Sequence, residues 1–226
     1  MRRSERLSGA KVKARLTHGY LCMGTFLAAE QAWHLLHDAN FLYGQERYAN
    51  SLVLSVYSVE EVGRSRIYLE QTEQVLQGRV ITLEDVKARC KVHMEKLEHG
   101  RSPLTVHAST FLQGEPPSPG SVEESQLAHR LQELRRAREK AAPKETHDKR
   151  FRALYVDPID AVKEWNIPAK TEAYDAWDML YVAGIEYEVH RSKLNRFLGE
   201  KAEFQEIASR VRLPKLPEPI SLPDLY

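Results

Sequence analysis

The segment from Glu46 to Leu76 constrains the fold of this chain most strongly, because apolar residues cover nearly every face of the helix that it would form. Gly78 follows the segment and marks its end. A helix that is apolar on all sides is typically buried in the centre of a bundle, so we expect other helices to surround it. The apolar positions are Leu52, Val53, Leu54, Val56, Tyr57, Val59 and Val62.

Further segments predict helices on both sides of this central one. Thr82 is a good N-cap because acidic residues follow it in the first turn, and Ser121 forms a capping box with Glu124. Thr171 is expected to cap the last long helix. The predicted helices cover residues 20–43, 46–76, 82–99, 121–141 and 172–198, and a short one covers 201–211.

The other segments lack helical periodicity. Residues 101–120 are rich in Pro, Gly and Ser and predict a loop, and residues 151–158 are expected to be extended. Prolines exclude regular helix from the C-terminal tail. The pattern therefore predicts an all-α bundle of about five helices, with a charged insertion and an extended Pro-rich C-terminal tail. The expected parts are a basic N-terminal segment (1–19), a helical domain containing the loop 100–120 (20–200), and a short helix with the tail (201–226).

The composition is that of an ordinary globular protein. Apolar residues make up 42% of the chain and charged residues 29%, which is sufficient for a buried core. No run of 18 apolar residues predicts a membrane span, and no apolar stretch directly follows the basic first residues, which argues against a secretory signal. The two cysteines, Cys22 and Cys90, are expected to be buried free thiols. Together these features favour a reducing compartment, the cytoplasm.

Charge is distributed unevenly along a chain whose net charge is only +1. Residues 130–152 carry nine basic and four acidic side chains, whereas residues 155–190 carry eight acidic side chains and two lysines. The basic segment could contact the phosphates of a nucleic acid. It could equally be a solvated helix face beside an acidic neighbour, and the sequence leaves both interpretations open.

Two adjacent glutamates on the central helix are the first candidates for chemistry. On a helical wheel Glu60 lies on the packed side, and burial of an ionised carboxylate requires a partner or a proton. Arg64 follows Glu60 at i+4 and Glu61 at i+3, so it is within reach of both. The arrangement fits a structural ion pair inside the bundle and also a polar site between helices.

The third predicted helix carries the second group of candidates. His93 lies at the edge of its apolar stripe, with Lys96 further round the same helix. A histidine at such an edge is more often a hydrogen-bonded core residue than a catalyst. If this helix faces the central one, however, His93 and Lys96 would form a mixed-charge cluster with Glu60 and Glu61.

The sequence contains no recognisable metal or nucleotide motif. None of the histidines has an acidic residue three positions before it, which disfavours the Glu-x-x-His pairs of di-iron bundles. The Cys and His spacings match no zinc pattern, and the chain has no P-loop and no Gly-x-Ser-x-Gly motif. We therefore expect no metal and no other cofactor.

Three stretches together resemble the AbiV family. The first is YANSLVLSVYSVEEVGRSRIYLE (48–70), in which Arg64 stands where Lys is the commoner choice. HMEKL (93–97) resembles the family's His-x-x-Lys segment, and KRFRALYVDP (149–158) resembles its basic run into a Leu-Tyr-Val-Asp stretch. The resemblance spans roughly residues 20–198 and depends on the order and spacing of the three stretches.

The AbiV family belongs to the HEPN-like helical bundles, many of which are ribonucleases in phage defence or toxin systems. The resemblance therefore implies a HEPN-like bundle and a bacterial cytoplasmic protein that arrests growth of an infected cell, with RNA cleavage as the expected activity. The residues that we expect to be catalytic are Glu60, Glu61, Arg64, His93 and Lys96.

The sequence departs from the nuclease signature of the wider HEPN group, an Arg followed by a His after four to six residues. Only Arg101 and His107 match, and chance alone predicts about two such matches in a chain of this composition. The match also falls in a Pro-containing stretch, whereas the motif of the group lies on a helix. We assign no site to it.

Two functions remain open at this stage. In a metal-independent ribonuclease, His93 would act as base or acid, Lys96 or Arg64 would supply positive charge, and the glutamates would orient these groups. The alternative is a non-catalytic helical module that binds RNA, the ribosome or a phage protein, with a polar cluster that only stabilises the bundle.

The expected partners follow from the same resemblance. Lys149, Arg150 and Arg152 in the basic run are expected to contact RNA. A phage protein or an antitoxin-like protein is a second expected partner, and a homodimer is expected because HEPN-like domains often pair so that two sites face one cleft. No membrane partner is expected.

Overall fold

The computed structural model describes residues 15–101, 121–140, 142–154, 157–159 and 164–221, and these residues form a mainly helical bundle. The all-α class is confirmed, although eight α-helices in the described residues exceed the expected number of about five. The elements are α1 (His18–Gly44), α2 (Tyr48–Leu76), α3 (Leu83–Lys91), α4 (His93–His99), α5 (Val122–Lys140), α6 (Pro143–Leu154), β1 (Asp157–Ile159), β2 (Glu164–Asn166), a 3-10 helix (Pro168–Lys170), α7 (Ala173–Glu200) and α8 (Ala202–Arg210).

Helices α1 and α2 form a long antiparallel hairpin. The Ser58 hydroxyl donates a hydrogen bond to the carbonyl of Ala32 at 2.8 Å, and the Ser65 hydroxyl donates one to the carbonyl of Thr25 at 2.6 Å. Residue numbers thus increase along α2 while those of the contacting residues on α1 decrease, as in an antiparallel pair. Small side chains at these contacts let the two backbones approach closely, and each buried hydroxyl has an acceptor.

The central position predicted for α2 is confirmed. Val56, Val59 and Val62 are fully buried, with α1 on one side and α7, α4 and α6 on the others. Complete burial of such a side chain contributes roughly 1.5–3 kcal/mol, so this helix supplies much of the apolar stabilisation of the bundle. From α7, Leu180 and Tyr187 join the same core.

Helix α4 crosses α2 at two glycines with direct backbone contact. A Cβ atom on Gly63 would lie 1.8 Å from the carbonyl oxygen of Lys96, and one on Gly100 would lie 2.4 Å from the carbonyl oxygen of Val59. Only glycine fits at either point. The crossing therefore fixes the distance between α2 and the side chains of α4.

The prediction of one continuous third helix was wrong. The backbone leaves the helical region at Val92, where φ is −85° and ψ is 113°, and this break separates α3 from α4. The apolar stripe continues through the break, so periodicity alone predicted continuity. The start was predicted well: Thr82 and Asp85 form a reciprocal capping box at the beginning of α3.

Two further predictions near the C-terminal half also fail. Residues 151–154 are the last turn of α6 and are not extended. Thr171 does not cap α7, because its hydroxyl donates a hydrogen bond to the carbonyl of Pro168 at 2.8 Å and Glu172 occupies the N-cap position. Strands β1 and β2, which lie between α6 and the 3-10 helix, pair in antiparallel register with Asp157 opposite Asn166.

Both the charged insertion and the Pro-rich tail lie against the bundle. Leu134 of α5 is fully buried against Ile185 and Val189 of α7. In the tail, the Tyr187 hydroxyl of α7 donates a hydrogen bond to the carbonyl of Pro217 at 2.8 Å, and Leu216 is 5% exposed. The short helix predicted at 201–211 is confirmed as α8.

Several expectations fall outside the described residues. These are the basic segment up to residue 14, the predicted loop from residue 102 to 120, and the apolar pair Tyr155 and Val156. None of the helices among the described residues combines the length and the apolar character needed to cross a membrane. The proposed division into three parts stays a prediction.

Candidate functional site

A cluster of charged side chains surrounds the buried carboxylate of Glu60, at the point where α4 and α6 meet α2. Glu60 is 2% exposed. Its Oε2 atom lies 2.8 Å from His93 Nδ1 and accepts a hydrogen bond from Lys96 Nζ at 2.9 Å. Its Oε1 atom accepts a hydrogen bond from Arg150 Nη1 at 2.9 Å. Three side chains from two helices thus converge on one carboxylate.

Two of these partners are cations that are themselves buried. Lys96 is 3% exposed and Arg150 is 4% exposed. The guanidinium of Arg150 also lies over the rings of Tyr57 and Phe151, at 5.5 Å and 5.1 Å from their centroids. With two cations around one carboxylate, the cluster carries excess positive charge in a low-dielectric setting, which strengthens its attraction for an anion.

His93 is the exposed member of the cluster, with 47% of its side chain accessible. Its Nδ1 atom also lies 3.3 Å from Arg150 Nη1, but one ring nitrogen cannot serve both neighbours. The shorter contact to the carboxylate assigns the hydrogen to Nδ1, which donates to Glu60. In the neutral imidazole, Nε2 then carries the free lone pair and can accept a proton.

A second histidine lies beside the first. Arg150 Nη2 lies 3.2 Å from His147 Nδ1, and because the guanidinium can only donate, His147 Nδ1 is the acceptor. The neutral His147 ring therefore carries its hydrogen on Nε2. The centroids of the His93 and His147 rings are 6.2 Å apart. One imidazole thus has a free acceptor nitrogen and its neighbour has a free donor.

Glu61 and Arg64 form a pair of their own. Their side chains meet at 3.0 Å, with 14% of Glu61 and 34% of Arg64 exposed. Burial raises the pKa of Glu61, against the opposing effect of Arg64 and Lys96. The pair lines an apolar cavity of about 490 Å³ between α1, α2 and α3, which Cys90 also lines. Of the five expected catalytic residues, His93 and Lys96 each contact Glu60 directly, whereas Glu61 and Arg64 contact each other.

The basic run of α6 divides into three environments. Lys149 forms an ion pair with Asp175 of α7 at 2.5 Å. Arg150 is buried in the Glu60 cluster and is 4% exposed. Arg152 is exposed. The expected roles of these residues in RNA binding stay predictions, and the geometry ties Arg150 to the cluster.

The two cysteines are free thiols, as expected. Cys22 is fully buried, and burial raises the pKa of its thiol to about 11. Cys90 is only partly buried. Among the residues that the structure describes, no group of three or more His, Cys, Asp or Glu side chains is arranged to bind a metal.

Sequence reasoning missed His147 and the contact of Phe151 with Arg150, because it predicted no helix over residues 143–154. Pro143 is the signal that was available, since proline favours the first position of a helix. On that helix His147, Arg150 and Phe151 lie at spacings of three and four and therefore share one face.

The central helix carries the Glu-Glu-x-Gly-Arg segment and faces the His-x-x-Lys segment, two of the stretches in which the sequence resembles the AbiV family. A sequence model of a HEPN family, described as AbiV, matches residues 23–184, which is more than half of the chain. This protein belongs to the AbiV family of HEPN proteins, and the resemblance seen in its motifs is confirmed. The membership indicates a HEPN-type function in abortive infection. No curated protein and no solved structure gives a significant match.

Proposed function

We propose that this protein is a metal-independent endoribonuclease that acts in the bacterial cytoplasm and arrests growth of a phage-infected cell. The observation that carries the proposal is the contact between His93 and Glu60. A carboxylate that is 2% exposed orients an imidazole that is 47% exposed, at 2.8 Å. Such a buried carboxylate fixes the ring and its tautomer and leaves the outer nitrogen as a base.

The two histidines have different roles at the phosphate. His93 Nε2 removes the proton of a ribose 2′-hydroxyl, and the oxygen attacks the adjacent phosphorus. The bond from phosphorus to the 5′-oxygen breaks, the protonated His93 gives that proton to the leaving oxygen, and the Nε2–H of His147 donates a hydrogen bond to a phosphate oxygen. The products are a 2′,3′-cyclic phosphate and a 5′-hydroxyl, so no water or metal is consumed. The excess positive charge of Lys96 and Arg150 stabilises the negative charge that develops at phosphorus.

Cleavage of total RNA by the purified protein in the presence of EDTA tests this proposal. We expect products with 2′,3′-cyclic phosphate ends, and we expect His93→Ala and His147→Ala each to lower the rate by about 10²–10⁴-fold. His129→Ala is the matched control, because His129 is 70% exposed on α5 and its Nδ1 atom lies 3.5 Å from Glu133 of the same helix. Undiminished cleavage by His93→Ala with the wild-type melting temperature would exclude His93 as the base.

A non-catalytic role is the second candidate function, and the burial of the charged side chains in the cluster favours it. Glu60, Lys96 and Arg150 are each at most 4% exposed, as expected for an ion-pair network that stabilises a bundle. In this case the protein binds RNA, the ribosome or a phage protein without cutting RNA. Wild-type protein that binds an RNA and leaves it intact over hours would favour this candidate.

The proposed assembly is a homodimer formed through α1. Tyr20, Leu27 and Phe41 are 63%, 51% and 64% exposed, respectively, and they recur at multiples of seven residues, so they share one helix face. A phage protein or an antitoxin-like protein is the alternative occupant of this face. Light scattering at micromolar concentration tests the dimer, and Phe41→Glu should yield monomers. A wild-type monomer would contradict the proposal.

A further inference from the structure

A second cleft begins about two helical turns along α2 from Glu60 and extends over about two further turns. It has a volume of about 420 Å³ and is open to solvent on the side where α4 ends. Its lining is rich in charge and comes from α2, α4, α7 and the residue after Gly100. The lining residues are Arg66, Leu69, Glu70, Glu73, Glu98, His99, Arg101 and Lys193.

Most of the acidic side chains around this cleft are already paired with cations. Glu70 pairs with Arg89 at 2.9 Å, and Glu73 pairs with Lys201 at 3.0 Å. Glu98 is exposed and forms no ion pair with the described residues. The acidic charge of the cleft is therefore largely compensated from outside it.

The basic side chains of the cleft are less completely paired than the acidic ones. Arg66 already has partners within the protein, since it donates hydrogen bonds to Glu186 Oε2 at 3.1 Å and to the carbonyl of His99 at 2.9 Å. Arg101 and Lys193 form no ion pair with any described carboxylate. The guanidinium of Arg101 donates a hydrogen bond to the Thr146 hydroxyl at 3.3 Å, and its buried Nε atom has no partner among the described residues. Two cations of the lining thus lack an ion-pair partner among the described residues, as does the Glu98 carboxylate.

The two cations differ in burial. Arg101 is partly buried, and burial together with the nearby Arg138 lowers its pKa to about 10, against the opposing effect of Glu186. Lys193 is exposed, and partial burial lowers its pKa in spite of the attraction of Glu73. A partly buried cation such as Arg101 that lacks an ion-pair partner costs stability, and it persists where a ligand supplies the missing charge.

We infer that this cleft binds a phosphodiester group of the RNA strand that the proposed site cleaves, through the guanidinium of Arg101 and the ammonium of Lys193. The guanidinium fork matches two phosphate oxygens, and the lysine supplies a second charge. The cleft and the cluster share two helices. Arg101 contacts Thr146, one turn of α6 from Arg150, and His99 ends the same short helix that His93 begins. The inference depends on the proposed function only in taking RNA as the ligand.

Binding of a fluorescein-labelled 2′-O-methyl oligonucleotide, followed by anisotropy over a series of salt concentrations, tests the inference. This probe lacks the 2′-hydroxyl and cannot be cut, so binding is measured apart from cleavage. We expect Arg101→Gln to weaken binding about tenfold and to reduce the slope of log K against log salt by about 0.7. We expect the same direction for Lys193→Gln. Arg47→Gln is the matched control, because Arg47 is exposed at the other end of α2.

Thermal unfolding separates a binding role from a structural one. Removal of an uncompensated buried charge should leave the melting temperature of Arg101→Gln unchanged or raise it, whereas loss of a structural arginine would lower it. Equal affinities of Arg101→Gln and Arg47→Gln would overturn the inference, as would displacement of the oligonucleotide by an equimolar concentration of inorganic phosphate. If Arg101→Gln weakens binding while the wild type cuts no RNA, the cleft is supported and the nuclease proposal fails.

Discussion

The carbonyl oxygen of Lys96 lies only 1.8 Å from the position that a Cβ atom would take on Gly63. The backbones of α2 and α4 touch at this point, one helical turn from Glu60. The contact sets how far the Lys96 and His93 side chains must reach to the Glu60 carboxylate. A single glycine thus controls the geometry of the candidate site.

We predict that Gly63→Ala separates α2 from α4 and lowers the free energy of unfolding by about 1–3 kcal/mol or more, because the clash is with backbone and not with a flexible side chain. Gly199→Ala is the control, since no atom lies within 4 Å of a Cβ at that helical position. There the alanine should stabilise the helix by up to about 1 kcal/mol. Equal urea midpoints for the two variants would contradict the close contact.

The Glu60 carboxylate is predicted to be essential for folding. Glu60→Gln removes the negative charge that contacts both buried cations, Lys96 and Arg150, and should cost about 3–5 kcal/mol. Glu70→Gln on the same helix is the matched control, because 48% of Glu70 is exposed and the loss should stay below about 1 kcal/mol. Urea unfolding measures both. A Glu60→Gln protein as stable as Glu70→Gln would mean that the cluster is not buried in solution.

Glu61 is predicted to behave differently from Glu60. Its raised pKa means that the native protein binds this proton more tightly than the unfolded chain does, so the contribution of Glu61 to stability falls as the pH rises through that pKa. Glu61→Gln should therefore be as stable as the wild type or more stable at neutral pH, with the gain disappearing in acid. Melting temperatures at several pH values check this. Glu61→Ala should cost only about 1 kcal/mol, since Arg64 is 34% exposed.

Activity in cells adds a second measurement for the same position. If Glu61→Gln folds normally and still arrests growth fully, the carboxylate has no electrostatic role in the function. If growth arrest is lost at an unchanged melting temperature, the Glu61 carboxylate itself takes part in the activity.

Acid sensitivity is predicted to come partly from His190. Its ring is 1% exposed, and its Nε2 atom lies 2.7 Å from the Ser65 hydroxyl. Burial, aided by Arg66 and Lys193, lowers its pKa well below the usual histidine value. The unfolded chain therefore binds a proton that the native protein does not, and stability is lost as the pH falls below the ordinary histidine range.

The slope from this one group approaches about 1.4 kcal/mol per pH unit between the two pKa values. His190→Gln should show a flatter dependence of unfolding free energy on pH between neutrality and moderate acid, whatever its stability at neutral pH. Chemical denaturation at several pH values compares the slopes. Identical slopes for the variant and the wild type would show that His190 does not contribute to the loss of stability in acid.

The sequence was sufficient to predict the part of the site that depends on local periodicity. Glu60 faces the core because its place on the helical wheel of α2 requires it, and the stripe position of His93 brings it to the same side. Glu61 lies about 100° round the same helix, which explains why it contacts Arg64 and not the cluster. The separation of the two glutamates therefore follows from their positions on the helical wheel of α2.

The rest of the site depends on contacts between distant parts of the chain. Arg150 reaches Glu60 across ninety positions, and no local pattern in the charged stretch before residue 151 predicts which cation will be buried. The break at Val92 has a similar origin, because the backbone contact at Gly100 turns α4 against α2 and overrides a continuous apolar stripe. Tertiary packing therefore determines both the burial of Arg150 and the helix break at Val92.

The hydrogen bond between the tail and α1 makes Trp33 an intrinsic fluorescence probe of tail docking. The indole Nε1 of Trp33 donates to the carbonyl of Glu218 at 2.9 Å, and the ring stacks on His37 with centroids 5.1 Å apart. Detachment of the tail would break this bond and hydrate the indole, which shifts its emission to longer wavelength. Steady-state fluorescence could therefore follow docking of the tail in the unlabelled protein while RNA or a protein partner is added.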